Sequence, residues 1–299
     1  MASRRGRARR RGHPTTQADL ARLREAVGRP VDPTRSLFGP DSLSWRVNRE
    51  ATLLLGGGRA LLLQIAHPLV AAGVAEHSDF PRAPLRRLWR TLDLTLTMVF
   101  GSAGDALAAV RRIERAHARV HGVLAEDVGP FRRGTPYDAN DPRLLLWVHA
   151  TLVDSALYAY ERLVAPLGAP ARSAFYREST IAARLFRIPP ALIPATLGEF
   201  RAYTREMLHG PTLAVGPTSR ALAAALLSPP LPFGLRQAAA STRLFSIGLL
   251  PAVIRRRYGF AWTGTHERAL RAVTAAIRIG LPALPKVARE FPHARRARA

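Results

Sequence analysis

Between Gly56 and Thr91 the chain reads GGGRALLLQIAHPLVAAGVAEHSDFPRAPLRRLWRT, an apolar, helix-forming stretch that also carries two histidines, carboxylates and several arginines. Apolar segments bury themselves, and a buried ionisable group is costly unless it is paired or bound to something. This stretch therefore constrains the fold more than any other. It must find polar partners, a ligand or a cofactor inside the protein. No other part of the chain matches its density of such residues.

The periodicity along the remaining sequence is helical. Residues 18–28 predict a short amphipathic helix ending at Gly28, and 30–40 a loop with Asp41 and Ser42 as cap candidates. Pro68 is expected to open a new turn, Leu85–Phe100 to form a helix closed by Gly101, and Asp105–Leu124 a long helix. Asp141-Pro142 is a strong start for a helix running to about Val164, followed by helices over 170–184 and 194–208 and shorter ones from Arg220 to about Arg278. Strand-like alternation is nearly absent. The expected fold is all-α, a single multi-helix globular domain over 16–299 behind a disordered basic tail over 1–15, with no internal repeat.

The 299 residues suffice for one large core, and 47% of them are hydrophobic. The formal net charge is +24, and only Lys286 among the basic residues is lysine. Six arginines (Arg4, Arg5, Arg7, Arg9, Arg10, Arg11) sit in the N-terminal run, which reads as a solvated tail. Basic helices without interleaved aromatics do not indicate specific nucleic-acid recognition. A basic nucleic-acid-binding helical protein remains the contrasting class, marked by salt-sensitive DNA binding without a cofactor. The absence of cysteine excludes disulfides, thiolate metal sites and a cysteine nucleophile. Charges and prolines interrupt every long apolar run, so no transmembrane segment is expected and the localisation expected is cytoplasmic. Oligomeric state leaves no mark in the sequence.

GGGRA lacks the ending of a phosphate-binding loop and the spacing of a dinucleotide fingerprint. The histidines are the richer signal. His117 and His121 stand four apart and are expected on one helix face, where a pair can bind a metal or simply meet solvent. His149 lies in the most apolar helix, where a hydrogen-bonded core histidine is the ordinary reading. His67 precedes Pro68, and His77 precedes Ser78 at a helix end. Glu114-x-x-His117 and Glu206-x-x-His209 form two Glu-x-x-His units. With Glu76, Glu161 or Glu178 they would suit a di-iron carboxylate site.

Taken together, GGGRALLLQIAHPLVAAGVAEHSDF, Arg87-x-x-Arg90-Thr91, HARVHG at His117–Gly122, WVHATLVDSALYAYERL, RRRYGFAW at Arg255–Trp262 and RIGLPALPKVARE resemble the DUF2236 family of MpaB-type and latex-clearing rubber oxygenases. The resemblance covers roughly 45–290. It implies an all-α domain holding one haem b through a single histidine, with O2 as co-substrate and a hydrophobic, isoprenoid-like compound as substrate. His117 matches the family's axial metal ligand best, with His121 and His149 as the other cofactor-binding candidates. The family's Arg-x-x-Lys-Thr maps onto Arg87, Arg90 and Thr91, implied to be catalytic, with Arg87 also a cofactor contact. A lysine at that place can ligate iron. Arg90 stays protonated and has no lone pair to give, so a lysine-capped resting state is excluded. Glu76 is the nearest match to the family's catalytic acid. A haem-binding protein without oxygenase turnover is the alternative within the same resemblance, and the di-iron oxidoreductase the alternative outside it.

Overall fold

The ends of the helices are written into the sequence. Thr16 and Asp19 form a reciprocal capping box that starts α1 (Gln17–Val27), and Gly28 ends it in the left-handed conformation. Ser42 caps α2 (Leu43–Asn48), as its position before the apolar pattern suggests. Pro68 takes the first position of α4 (Pro68–His77), after α3 (Gly57–Ile65). Asp141 caps α7 (Pro142–Leu163), whose first residue is likewise a proline. The computed structural model describes residues 16–78, 84–228 and 236–298. The basic run over 1–15 lies outside them, as do the side chains of 236–241 and of 84–88 and 90, which include Arg87 and Arg90.

The remaining elements are α5 (Pro84–Phe100), α6 (Ala103–His117), β1 (His121–Val123), β2 (Pro136–Asp138), α8 (Ala169–Leu185), α9 (Leu197–His209), α10 (Pro217–Leu227), α11 (Arg236–Gly248), α12 (Ala252–Tyr258), α13 (Gly264–Gly280), α14 (Lys286–Arg289) and α15 (Pro292–Arg296). The fold is mostly helical, at 68% helix, with one tiny sheet. The hairpin is the clearest departure from the sequence reading. The helix expected to reach Leu124 stops at His117, and β1 pairs antiparallel with β2, Gly122 opposite Tyr137. His117 and His121 therefore do not share a helix face.

The main core joins α3, α4, α7, α10, α11 and α13 around Leu62, Trp147, Leu163 and Ile254, all buried. The Gly56–Gly58 triplet serves this packing. A Cβ on Gly56 would stand 2.8 Å from the Ala159 Cβ, and one on Gly58 would overlap Ser246 on α11. Only glycine lets the backbones approach so closely. The ladder then breaks between α3 and α4, where the chain bends by 107°. Two carbonyls near the end of α3 accept from side chains: Tyr258 Oη donates to Leu62 O at 2.8 Å, beside the Ala66 N–H, and Trp147 Nε1 to Leu63 O at 3.2 Å. Among the described residues no single helix is long and apolar enough to cross a membrane. The bent pair Ala51–Ile65 and Pro68–His77 passes by composition alone.

Candidate functional site

Arg59 shows how the first half of the constraining stretch meets its polar demand. Its buried guanidinium on α3 donates to Asp154 Oδ2 and Ser155 Oγ on α7, both at 2.6 Å, and through Nε to Leu249 O at 2.9 Å. The group also lies over the Tyr158 ring, 5.0 Å from its centroid. Each of its three nitrogens is hydrogen-bonded, so Arg59 is a structural cross-link. The apolar residues around it, Leu62 to Val74, pack into the core.

The second half ends in a polar cluster. Glu76 and His77 close α4, facing the hairpin. Tyr137 on β2 donates its hydroxyl to Glu76 Oε2. His77 Nε2 lies 3.1 Å from both the Tyr137 hydroxyl and the His121 carbonyl oxygen. The carbonyl only accepts, so Nε2 carries the proton. The Tyr137 ring is buried, and burial together with the Glu76 carboxylate raises its pKa well above the usual phenol range. Opposite it, Gly122 leaves the necessary room, since a Cβ there would stand 2.7 Å from the Tyr137 oxygen. His77 is thus a link between α4 and the hairpin rather than a helix cap.

His67 opens α4 and is buried beneath the same hairpin, its ring 5.3 Å from that of Phe131. Burial lowers its pKa to about 4, against an opposing pull from the Asp141 carboxylate. His149 on α7 is lowered to about 4 by burial alone. Each is therefore a neutral imidazole at pH 7. Nδ1 of His67 and Nε2 of His149 are buried without a hydrogen-bond partner among the described residues. His117 ends α6, half-buried, and its carbonyl accepts from Val120 N, whose side chain packs at Gly73 on α4. His121 is exposed and contributes only its carbonyl here. Thr91 is exposed on α5, its carbonyl accepting from Thr95.

The carboxylates proposed for a di-iron site are held apart. Glu114 forms a two-pronged pair with Arg22 of α1, the closer contact 2.5 Å. Glu178 accepts from Leu43 N and Ser44 N at the start of α2, and Glu161 accepts from Arg172 at 2.6 Å. Among the described residues no three histidine or carboxylate side chains gather as a metal site. Glu114 of the first Glu-x-x-His unit is held by Arg22 rather than beside His117. A cavity of about 240 Å³ opens elsewhere, between α10 and the Tyr258–Phe260 segment. Arg220 and Arg243 line it, and none of the expected site residues does.

The sequence pattern of one protein family, described as ER-bound oxygenase mpaB/B'/Rubber oxygenase, catalytic domain, matches residues 45–279. The chain belongs to this family. Two uncharacterized proteins, from Mycobacterium bovis and Mycobacterium tuberculosis, are each 24% identical over 230 residues, 75% of this chain and 87% of theirs. No solved structure matches.

The span shared with the MpaB and rubber oxygenase family runs from α2 through most of α13 and holds every candidate from Glu76 to His149. Sequence reasoning missed Tyr137, although it ties Glu76 to His77. The signal was weak: PYD sits in a segment rich in glycine and charge, where no periodicity marks a strand. It also missed Asp154 and Ser155, which an arginine inside an apolar helix should have prompted.

Proposed function

We propose that this protein is a haem b-dependent oxygenase acting with O2 on a hydrophobic, isoprenoid-like compound. Membership of the oxygenase family across most of the chain carries this reading. The interior suits such a group, because it supplies buried, neutral imidazoles with unpartnered nitrogens. A protonated or fully hydrogen-bonded histidine would have no lone pair to offer. When bound, the haem would supply redox-active iron with an open coordination position for O2.

His117 is the proposed proximal ligand. It ends α6 just before the hairpin that buries His67 and bonds Glu76 and His77. His149 is the second reading for the ligand, favoured by its buried Nε2. Glu76 is the proposed acid or base. The hydrogen bond from Tyr137 fixes the carboxylate's direction and leaves its second oxygen available for proton exchange. Arg87, Arg90 and Thr91 on α5 are the proposed contacts to bound oxygen or to the carboxylates of the cofactor.

The visible spectrum of the purified protein tests the reading. A Soret band is expected in the parent protein, lost in His117→Ala and kept in His209→Ala. Loss in His149→Ala with retention in His117→Ala would move the ligand to α7. A colourless protein that takes up no haem on reconstitution would overturn the proposal. Haem uptake without oxidation of any polyprenyl compound would leave a binding protein.

A further inference from the structure

The end of α13 and the segment after it present apolar side chains that nothing in the described structure covers. Ile279 is 80% exposed, Val287 62% and Leu284 49%. The backbone beneath them is well held, because Leu270 and Leu281 are buried in the core on the opposite side. Pro282 and Ala283 between them are exposed as well. Apolar residues this prominent and this close in the chain mark an interaction surface.

The charges around them decide the occupant. Between Glu267 and Glu290 there is no acidic residue, whereas Arg268, Arg271, Arg278, Lys286 and Arg289 are basic. Arg289 is committed to Glu50. Arg271, Arg278 and Lys286 are exposed, and among the described residues none of them makes an ion pair. A second copy of the chain would set this basic ledge against another carrying net charge +24. An anionic surface would be attracted instead. Three aliphatic side chains flanked by lysine and arginine are what an acidic bilayer recognises: the aliphatic groups enter the acyl boundary, and the cations meet headgroup phosphates.

We propose that the segment 271–288 docks this protein onto an anionic lipid surface, with Ile279, Leu284 and Val287 inserted and Arg271, Arg278 and Lys286 at the phosphates. The inference is independent of the cofactor and of the reaction.

The chain has no cysteine, so one introduced cysteine takes a label at a single place. Ile279→Cys carrying the environment-sensitive dye NBD is expected to brighten and shift to the blue with phosphatidylcholine–phosphatidylglycerol vesicles, and not with phosphatidylcholine alone. Val123→Cys, 57% exposed on the hairpin, is expected to stay unchanged. In flotation with the anionic vesicles, the triple variant I279S/L284S/V287S should bind at least about tenfold more weakly than the parent. Failure of the parent to bind such vesicles would overturn the proposal. So would binding with an unchanged signal at position 279, which would assign adhesion to the N-terminal arginines alone. A lipid-independent shift accompanied by concentration-dependent self-association in light scattering would assign the face to a second copy.

Discussion

Tyr137 and His67 carry the sharpest single-residue consequences. Tyr137→Phe keeps the ring that packs against Gly122 and removes only the hydroxyl shared by Glu76 and His77. The Tyr137 ring is buried but Glu76 and His77 are exposed, so water can reach the groups left behind, and a loss of about 0.5–1.5 kcal/mol is expected in urea unfolding. A stability equal to the parent's would show that water replaces the hydroxyl freely. His67 gives a pH dependence. Its folded pKa, about 4, lies below the unfolded value of 6.5. Between those values the unfolded chain takes up a proton that the folded chain refuses, so stability falls as pH drops from about 6.5 towards 4 and levels off below. The full effect is up to about 3 kcal/mol. His149, lowered in the same way, contributes over the same window, so His67→Gln should remove about half of that slope in the melting-temperature profile, and an unchanged slope would move the acid sensitivity elsewhere. Neither behaviour is legible in the sequence. A histidine before a proline is ordinary, and only the hairpin folded over it from sixty residues away makes it buried.

At the level of elements, most helices and several of their starts were legible because local chemistry sets them: Ser42, Pro68 and Asp141 start helices where their side chains and rings require. The hairpin was not, because its strands are three residues each and owe their pairing to α4 beneath them. His121 was therefore assigned to a helix it does not join. The glycine triplet is the converse case. Its sequence rightly excludes a phosphate loop but does not say that α3 must press against α7 and α11. Gly58→Val should cost about 2–4 kcal/mol, since Ser246 on α11 has no room to retreat within a packed core. Gly134→Ala, with open space around it but a φ of +86°, should cost only about 1 kcal/mol, the price of a left-handed backbone. Comparable losses for the two would argue that α3 and α11 are less tightly apposed than the structure has them.

Across the whole molecule, the arginine excess is partly an internal resource. Glu50 is fully buried after α2, and Arg289 grips it with two hydrogen bonds of 2.7 and 2.9 Å, with Arg49 at 3.3 Å. Glu290, also buried, pairs with Arg298 at 2.8 Å and Arg49 at 3.6 Å. The backbones bridge at the same place, Phe291 N donating to Arg49 O at 2.9 Å. The C-terminal segment is thereby locked to the start of the helical core. Its α15 lies on α5, where His293 meets Asp93 at 3.0 Å. This clamp therefore supports the helix that carries Arg87, Arg90 and Thr91. Removing the charge from a buried, paired carboxylate strands the surrounding guanidinium groups. Glu50→Gln is expected to lower stability by about 3 kcal/mol or more and to open the segment after Pro285 to limited proteolysis. Glu25→Gln, on the exposed side of α1, should change stability by about 0.5 kcal/mol at most. Cleavage appearing first at the C-terminal segment, ahead of any global unfolding signal, would show that the clamp acts locally. If Glu50→Gln resists protease like the parent, the apolar contacts of Phe291 and Ala294 with Trp45 and Phe100 hold the segment on their own.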